Sequence, residues 1–308
     1  MSETIKEINE LILNKNIKGK IEFNYNLSKL SWFGVSGDAE VFFVPESVKE
    51  LSVMLRSLSP NIKRTIIGLG SNILVRDGGL DGIVIKLGKQ FSDIDLDDGV
   101  IKVGASVPDR VLSRFCCSEL ISGFEFLFGI PGNIGGAIAM NAGCYGSEIK
   151  DIFVSADCID HFGNSITINA SENLFSYRNS SRINNLIVTN VLFRVNKNDA
   201  AQIRNKMEQI NKDRVLTQPQ KIRTAGCTFK NPISSLSNKK AWELIEISGS
   251  RNIKLKNISL SDKHANFIVN KQFKSANQIE QFGEIIKKRV LEETGISLEW
   301  EIKILGNP

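Results

Sequence analysis

The stretch Phe128-Gly-Ile-Pro-Gly-Asn-Ile-Gly-Gly-Ala-Ile-Ala-Met-Asn-Ala-Gly-Cys-Tyr-Gly-Ser-Glu148 carries six glycines in its twenty-one residues. Glycine, proline and asparagine at this density oppose regular structure, so the segment reads as a loop whose backbone has a task that side chains would obstruct. Its glycines alternate with apolar residues, which favours burial over a solvated interdomain turn. A flat aromatic cofactor packed against backbone needs this lack of side chains, and free peptide N–H groups suit the polar edge of such a ring.

Upstream, Val111, Leu112, Phe115 and Cys116 share a helical face, predicting a helix over Val111–Leu120. Before it, AEVFFVP (39–45) reads as a strand closed by Pro45, followed by a helical stripe at Val48, Leu51, Met54 and Leu55. RTIIGLGSN (64–72) then reads as a buried strand entering a glycine turn, which gives β-α-β order. Within that turn, Gly68, Gly70, Ser71 and Asn72 offer backbone amides and neutral donors to a phosphate. The turn lacks the GxGxxG spacing of a dinucleotide fingerprint and the Lys-Ser/Thr of a P-loop, so from these five residues alone a purely structural turn is the favoured reading. Ile5, Ile8, Leu11 and Ile12 predict an N-terminal amphipathic helix.

Downstream, DIFVSADCID, NSITIN and NLIVTNVLFRV read as strands, and a helix starts near Asp199 with Ile203, Met207 and Ile210 on one side. The stretch TQPQKIRTAGCTFKNP (217–232) marks entry into a last domain. There, a helix around Trp242–Ile247, a strand in NFIVN and a Ser275-x-x-Gln278 capping box ahead of Ile279, Phe282, Ile285, Ile286 and Val290 are expected, with Gly295 as the stop. LEWEI (298–302) alternates like a strand.

The 308 residues, 42% hydrophobic and 24% charged, describe a globular chain and exclude disorder and coiled coil. No apolar run is long enough to span a bilayer and no secretory signal is visible, so a cytoplasmic location is expected. The net charge of +5 suits an anionic ligand but is too dispersed to point to nucleic acid. Cys116, Cys117, Cys144, Cys158 and Cys227 show no zinc-like spacing and read as reduced thiols, and no metal site is expected.

Taken together, NLSKLSWFGVSGDAEVFFVP, IIGLGSNILVRDGG, GIPGNIGGAIAMNAGCYG, YRNS, AGCTFKNP, HANFIVN and LEWEIKILG closely resemble the UDP-N-acetylenolpyruvoylglucosamine reductase (MurB) family. They run in order from Asn26 to Gly306, nearly the whole chain. The resemblance implies an α+β two-subdomain FAD-binding fold of the PCMH/vanillyl-alcohol-oxidase type with a C-terminal α/β substrate-binding domain. The boundaries expected are 1–90 for the N-terminal helix and first FAD subdomain, 91–200 for the second, and 201–308 for the substrate domain. The shorter, second subtype is implied, because only one strand pair separates YRNS from the Ile203 helix.

The activity implied is FAD-dependent, NADPH-consuming reduction of the enolpyruvyl ether of a UDP-sugar in peptidoglycan synthesis, by a monomer without nucleic-acid or membrane partners. By the same resemblance, Gly68, Gly70, Ser71 and Asn72 hold the FAD diphosphate. Gly129, Pro131, Gly132, Asn133, Gly135, Gly136, Ala137, Asn141 and Gly143 line the flavin and adjoining FAD. The catalytic arginine falls on Arg178, the C-terminal glutamate on Glu301, and the proton-donating serine on Cys227, a departure from the family pattern.

Hydride delivery to the methylene carbon leaves negative charge on the adjacent carbon and its carboxylate. Arg178 offers a permanently charged fork of donors for it, although YRNS alone favours a structural arginine capping a strand end. The carbon must then take a proton from a positioned acid. A thiol, with a pKa of about 8.5, is a better donor than an aliphatic hydroxyl; alternatively Cys227 is a small packing residue and water or Glu301 protonates. Glu299 rivals Glu301, since residues two apart on a strand share a face. Lys230 and Asn231 suit substrate or NADPH phosphates, and Tyr177 suits a ligand hydrogen bond, with a solvated lysine and a packed ring as the plain alternatives. His264 is expected to pack. Two other functions stay open: an FAD-linked hydroxy-acid oxidase or dehydrogenase of the same fold, and a nucleotide-sugar binder without catalysis.

Overall fold

The computed structural model describes residues 2–15, 17–171, 174–255, 257–272 and 275–308. The chain divides into two compact units that ignore sequence order. The first takes Met1–Asn24, Glu40–Leu69 and Asp81–Arg214; the second takes Tyr25–Ala39, Gly70–Leu80 and Val215–Pro308.

In the first unit, α1 (Glu3–Lys15) buries Ile8, and α2 (Val48–Ser57) buries Leu51, Met54 and Leu55 on the face its apolar spacing predicts. The Ser47 hydroxyl caps α2 by accepting the Glu50 N–H at 3.1 Å. A four-stranded sheet runs in the order Lys20–Asn26, Asp38–Val44, Leu80–Ile85, Arg64–Ile66, the last pair parallel. Arg64–Ile66 was expected to be buried. It is the sheet edge, and Ile66 is 41% exposed.

A second, antiparallel sheet runs in the order Ser165–Asn169, Phe153–Ile159, Ile187–Arg194, Val100–Gly104, Ile94–Asp97. The helix expected to begin at Val111 is α3 (Asp109–Ser118); its buried stripe is Asp109, Leu112, Ser113 and Cys116, and Val111 faces solvent. A one-position error in the stripe rotates the face by about 100°. The glycine-rich segment read as a loop contains a short helix, α4 (Ile134–Ala139), burying Ile134, Ala137 and Ile138. Their helical spacing is masked by the low helix propensity of Gly135 and Gly136. The long α5 (Ala200–Thr217) buries Ile203, Met207 and Ile210 as expected. One apolar cluster, from Ile8 through Phe43 and Leu127 to Phe193, forms this unit's core.

The second unit has its own core, built from Phe33, Leu74, Leu244, Ile258, Phe282 and Ile302 among others. It contains α6 (Ala241–Ile247) and α7 (Ala276–Thr294). The Ser275 hydroxyl accepts the Gln278 N–H at the start of α7, and Gly295 ends it at φ +71°. An antiparallel sheet joins Lys254–Leu255, Ile258–Leu260 and Ile268–Asn270. Lys303–Leu305 pairs in parallel with Ile73–Val75. The alternation in LEWEI is therefore not a strand. Leu298 and Ile302 alternate because both are buried, and the ladder starts only at Lys303.

Candidate functional site

In the first unit, the strands Phe175–Ser176 and Asn179–Ser180 pair as a hairpin whose two-residue turn is Tyr177–Arg178. Arg178 sits at φ +55°, a conformation that costs a non-glycine residue energy and persists only where its surroundings impose it. Those surroundings are the glycine-rich segment. Arg178 Nη2 donates to the Gly143 carbonyl at 3.0 Å, and its guanidinium carbon lies 5.0 Å from the Tyr177 ring centre.

Asn141 fastens the two pieces. Fully buried, it donates from Nδ2 to the Ser176 carbonyl at 3.1 Å and to Glu148 Oε2 at 2.9 Å, and its Oδ1 accepts the Lys150 N–H at 3.1 Å. Its amide, expected to contact cofactor, is thus engaged inside the protein. Asn133 is likewise engaged as the N-cap of α4, and its Oδ1 lies 2.4 Å from where a Cβ on Gly68 would stand, so the two glycine motifs touch. At Gly143 too the space of a Cβ is taken by protein atoms, and at Gly129 and Gly135 it is tight, so part of the glycine density serves internal packing. The Cys144 thiol donates to the Phe126 carbonyl at 3.2 Å, and burial pushes its pKa up to about 12, which keeps it neutral.

Beside Gly132, whose carbonyl accepts the Asp109 N–H at 3.0 Å, the Asp109 carboxyl is fully buried without a hydrogen-bond partner among the described residues. Ser113, one turn along α3, is in the same condition. Desolvation raises the Asp109 pKa well above the usual carboxylate range.

In the second unit, Gly70, Ser71 and Asn72 lead into Ile73–Val75. Gly70 is held at φ +69°, and a Cβ there would stand 2.1 Å from the Leu30 carbonyl oxygen. Neighbouring Ser31 is 3% exposed, its hydroxyl without a partner among the described residues. From Gly68 through Asn72, no backbone N–H makes a hydrogen bond to protein among the described residues. A run of free amides in this glycine turn fits the diphosphate of the flavin dinucleotide that the resemblance implies.

Asn72 also reaches the other end of the chain: its Nδ2 donates to the Glu301 carbonyl at 3.3 Å, and its own carbonyl accepts the Lys303 N–H at 3.0 Å. The Glu301 N–H in turn donates to the Thr228 carbonyl at 2.8 Å, and Phe229 bridges Trp300. Cys227, half-buried and in no disulfide, is the residue before Thr228 and follows Gly226, which is left-handed at φ +83°. The structure therefore brings Asn72, the Cys227 segment and Glu301 together within this unit.

Glu299 is set apart from Glu301: its side chain is 76% exposed and pairs with Lys230 Nζ at 3.2 Å. Asn231, expected at the ligand, accepts the Ala241 N–H at 3.0 Å and so supports the start of α6. His264 packs on the Phe267 ring, 4.8 Å between centres, and burial with Arg251 nearby lowers its pKa. Asn266 and Trp300 were not singled out by sequence, although they lie inside the HANFIVN and LEWEIKILG motifs.

A family model described as FAD binding domain matches residues 39–169, and one described as UDP-N-acetylenolpyruvoylglucosamine reductase, C-terminal domain, matches residues 218–305. UDP-N-acetylenolpyruvoylglucosamine reductase of Rickettsia akari is 44% identical over 96% of this chain and 99% of its own. The protein of the same name from Rickettsia canadensis is 45% identical over 94% of this chain and 97% of its own. Among solved structures, UDP-N-acetylenolpyruvylglucosamine reductase from Thermus caldophilus superposes with a TM-score of 0.79 at 29% identity, covering 94% of this chain and all of the other.

Proposed function

The chain belongs to the UDP-N-acetylenolpyruvoylglucosamine reductase family, and from that premise we propose that it reduces the enolpyruvyl ether of its UDP-sugar to UDP-N-acetylmuramate, with FAD bound and NADPH as electron source. The observation that supports this is the backbone hydrogen bond from the Glu301 N–H to the Thr228 carbonyl, which pairs the Glu301 segment with the one that carries Cys227. The chemistry drawn from bound FAD is two-electron transfer from NADPH to the substrate's methylene carbon. One hydride and one proton add across the carbon–carbon double bond, so each turnover consumes one NADPH and one proton.

Arg178 stabilises the negative charge that develops beside the substrate carboxylate, its guanidinium steadied by the Gly143 carbonyl. Cys227 gives the thiol proton to the carbon bearing that charge and regains it from water. Glu301 orients the substrate carboxyl or shares its proton. Tyr177, 40% exposed beside Arg178, is available to a ligand. Lys230 meets a phosphate only by releasing Glu299. The free amides of Gly68–Asn72 hold the FAD diphosphate. The enzyme acts as a cytoplasmic monomer.

The test is anaerobic and spectroscopic. Purified protein should be yellow, bleach with NADPH, and regain colour when the enolpyruvyl UDP-sugar is added. Cys227→Ala should bleach at the normal rate and recolour at least tenfold more slowly. A colourless protein that refuses added flavin would end the proposal, and recolouring by a hydroxy-acid product instead of the enolpyruvyl ether would reassign the substrate.

A further inference from the structure

Asn266 is 3% exposed, and its side-chain amide meets both polar groups of one residue across the fold. Oδ1 accepts the Phe229 N–H at 2.9 Å and Nδ2 donates to the Phe229 carbonyl at 2.7 Å. The orientation is forced, because a backbone N–H can only donate and a carbonyl only accept. The side chain thus stands in for a neighbouring strand at a point where none is present. Its own backbone continues the match: the Asn266 carbonyl accepts the Thr228 N–H at 2.8 Å, and Thr228 Oγ1 accepts the Ile268 N–H at 3.2 Å.

On the opposite edge of the same dipeptide, the Thr228 carbonyl accepts the Glu301 N–H and the Lys230 N–H donates to the Glu299 carbonyl at 2.9 Å. Thr228 and Phe229 are therefore gripped from both sides, with 0% and 1% exposure. Cys227 is the next residue, and the left-handed Gly226 behind it offers little resistance to a swing of the segment. The grip on Phe229 holds the segment that carries the thiol in register with the Glu301 backbone. Asn266 is itself oriented by His264, whose Nδ1 accepts the Asn266 N–H at 3.2 Å.

We propose that Asn266 is a positioning residue that holds the proton-donor segment in register with Glu301, an inference that rests on Cys227 serving as the proton donor. Losing the amide leaves the buried Phe229 N–H and carbonyl without partners, and the segment shifts to satisfy them. Flavin binding and its reduction by NADPH do not depend on that register; protonation of the substrate does.

The experiment measures the two half-reactions separately in Asn266→Ala, in the near-isosteric Asn266→Asp, in Cys227→Ala and in the double variant Cys227→Ala/Asn266→Ala. The expected result for either Asn266 variant is bound flavin with a bleaching rate within twofold of the parent, and recolouring by the enolpyruvyl UDP-sugar slowed at least tenfold at saturating substrate. The double variant should recolour within twofold of Cys227→Ala alone, because a residue acting through the thiol adds no loss once the thiol is gone. Multiplicative losses in the double variant, or parental recolouring in Asn266→Asp, would overturn the positioning role while leaving the proton donor intact. Loss of flavin or of bleaching in both Asn266 variants would make the residue merely structural and overturn the proposal. Parental recolouring in Cys227→Ala would remove the donor itself, and this inference with it.

Discussion

Gly283 lies in the interior of α7, where a glycine costs about 1 kcal/mol relative to alanine, and it is buried. The reason is Trp300. A Cβ at position 283 would stand 2.0 Å from Cη2 and 2.4 Å from Cζ2 of the indole, far inside the roughly 3.5–4.0 Å of an ordinary carbon contact. The ring also donates from Nε1 to Glu284 Oε1 at 2.6 Å and lies 5.1 Å from the Phe229 ring, so it is keyed between α7 and the Cys227 segment. Gly283→Ala gains about 1 kcal/mol of helix propensity, but overpacking costs about 1–3 kcal/mol and the lost charge-assisted hydrogen bond about 1.5 kcal/mol. The net is a destabilisation of about 1.5–3.5 kcal/mol, read from urea denaturation followed by tryptophan fluorescence. In a Trp300→Ala background the clash and the hydrogen bond are absent, and the same substitution should stabilise by about 1 kcal/mol. Because Trp300 adjoins Glu301, Gly283→Ala should also slow recolouring more than bleaching. A neutral or stabilising Gly283→Ala in the parent protein would refute the notch as the reason for the glycine.

Other consequences are equally open to measurement. Asp109 has a folded pKa above the unfolded value of about 3.9, so the folded state binds more protons and stability falls as pH rises from about 4 through the folded pKa. Asp109→Asn should show a higher melting temperature at pH 7 and a flatter profile across that window; parallel profiles for the two proteins would show that the carboxyl is not buried unpaired. Gly70→Ala forces a left-handed alanine against the Leu30 carbonyl, at about 1–2 kcal/mol for the backbone alone, and should be purified with substoichiometric flavin, an absorbance ratio equal to the parent's counting against it. Asn141→Ala strands the Ser176 carbonyl and the Lys150 N–H, should cost about 2–4 kcal/mol, and should slow recolouring through Arg178. Stability within 0.5 kcal/mol of the parent would show that the hairpin does not need that clamp.

Much of the secondary structure was legible because it follows from local periodicity: the stripes of α2, α5 and α7 and the Ser275 cap need only neighbours three or four residues away. The failures have the same origin. Glycines hid the apolar spacing of Ile134, Ala137 and Ile138, and burial of Leu298 and Ile302 imitated a strand. At the site, motifs carried Arg178, Cys227 and Glu301, but periodicity could not choose between Glu301 and Glu299. In the structure Glu299 is engaged with Lys230 at the surface, and Glu301 is bound through its backbone to Thr228 and Asn72. Asn133, Asn141 and Asn231, which sequence assigned to ligands, spend their side chains on the protein's own caps and turns.

By itself, then, the sequence determined the family, the kinds of chemical group available and most helices, because each of these is written in residue identity and short-range spacing. Tertiary structure decided which asparagine is a clamp, which glycine is a notch for an indole, and which glutamate is engaged by a surface lysine. Those properties belong to hydrogen bonds and contacts between residues far apart in the chain, such as Asn72 with Glu301 and Asn266 with Phe229. A buried amide or a helical glycine looks the same in sequence whatever lies across from it, and only the folded chain supplies the partner that gives it a role.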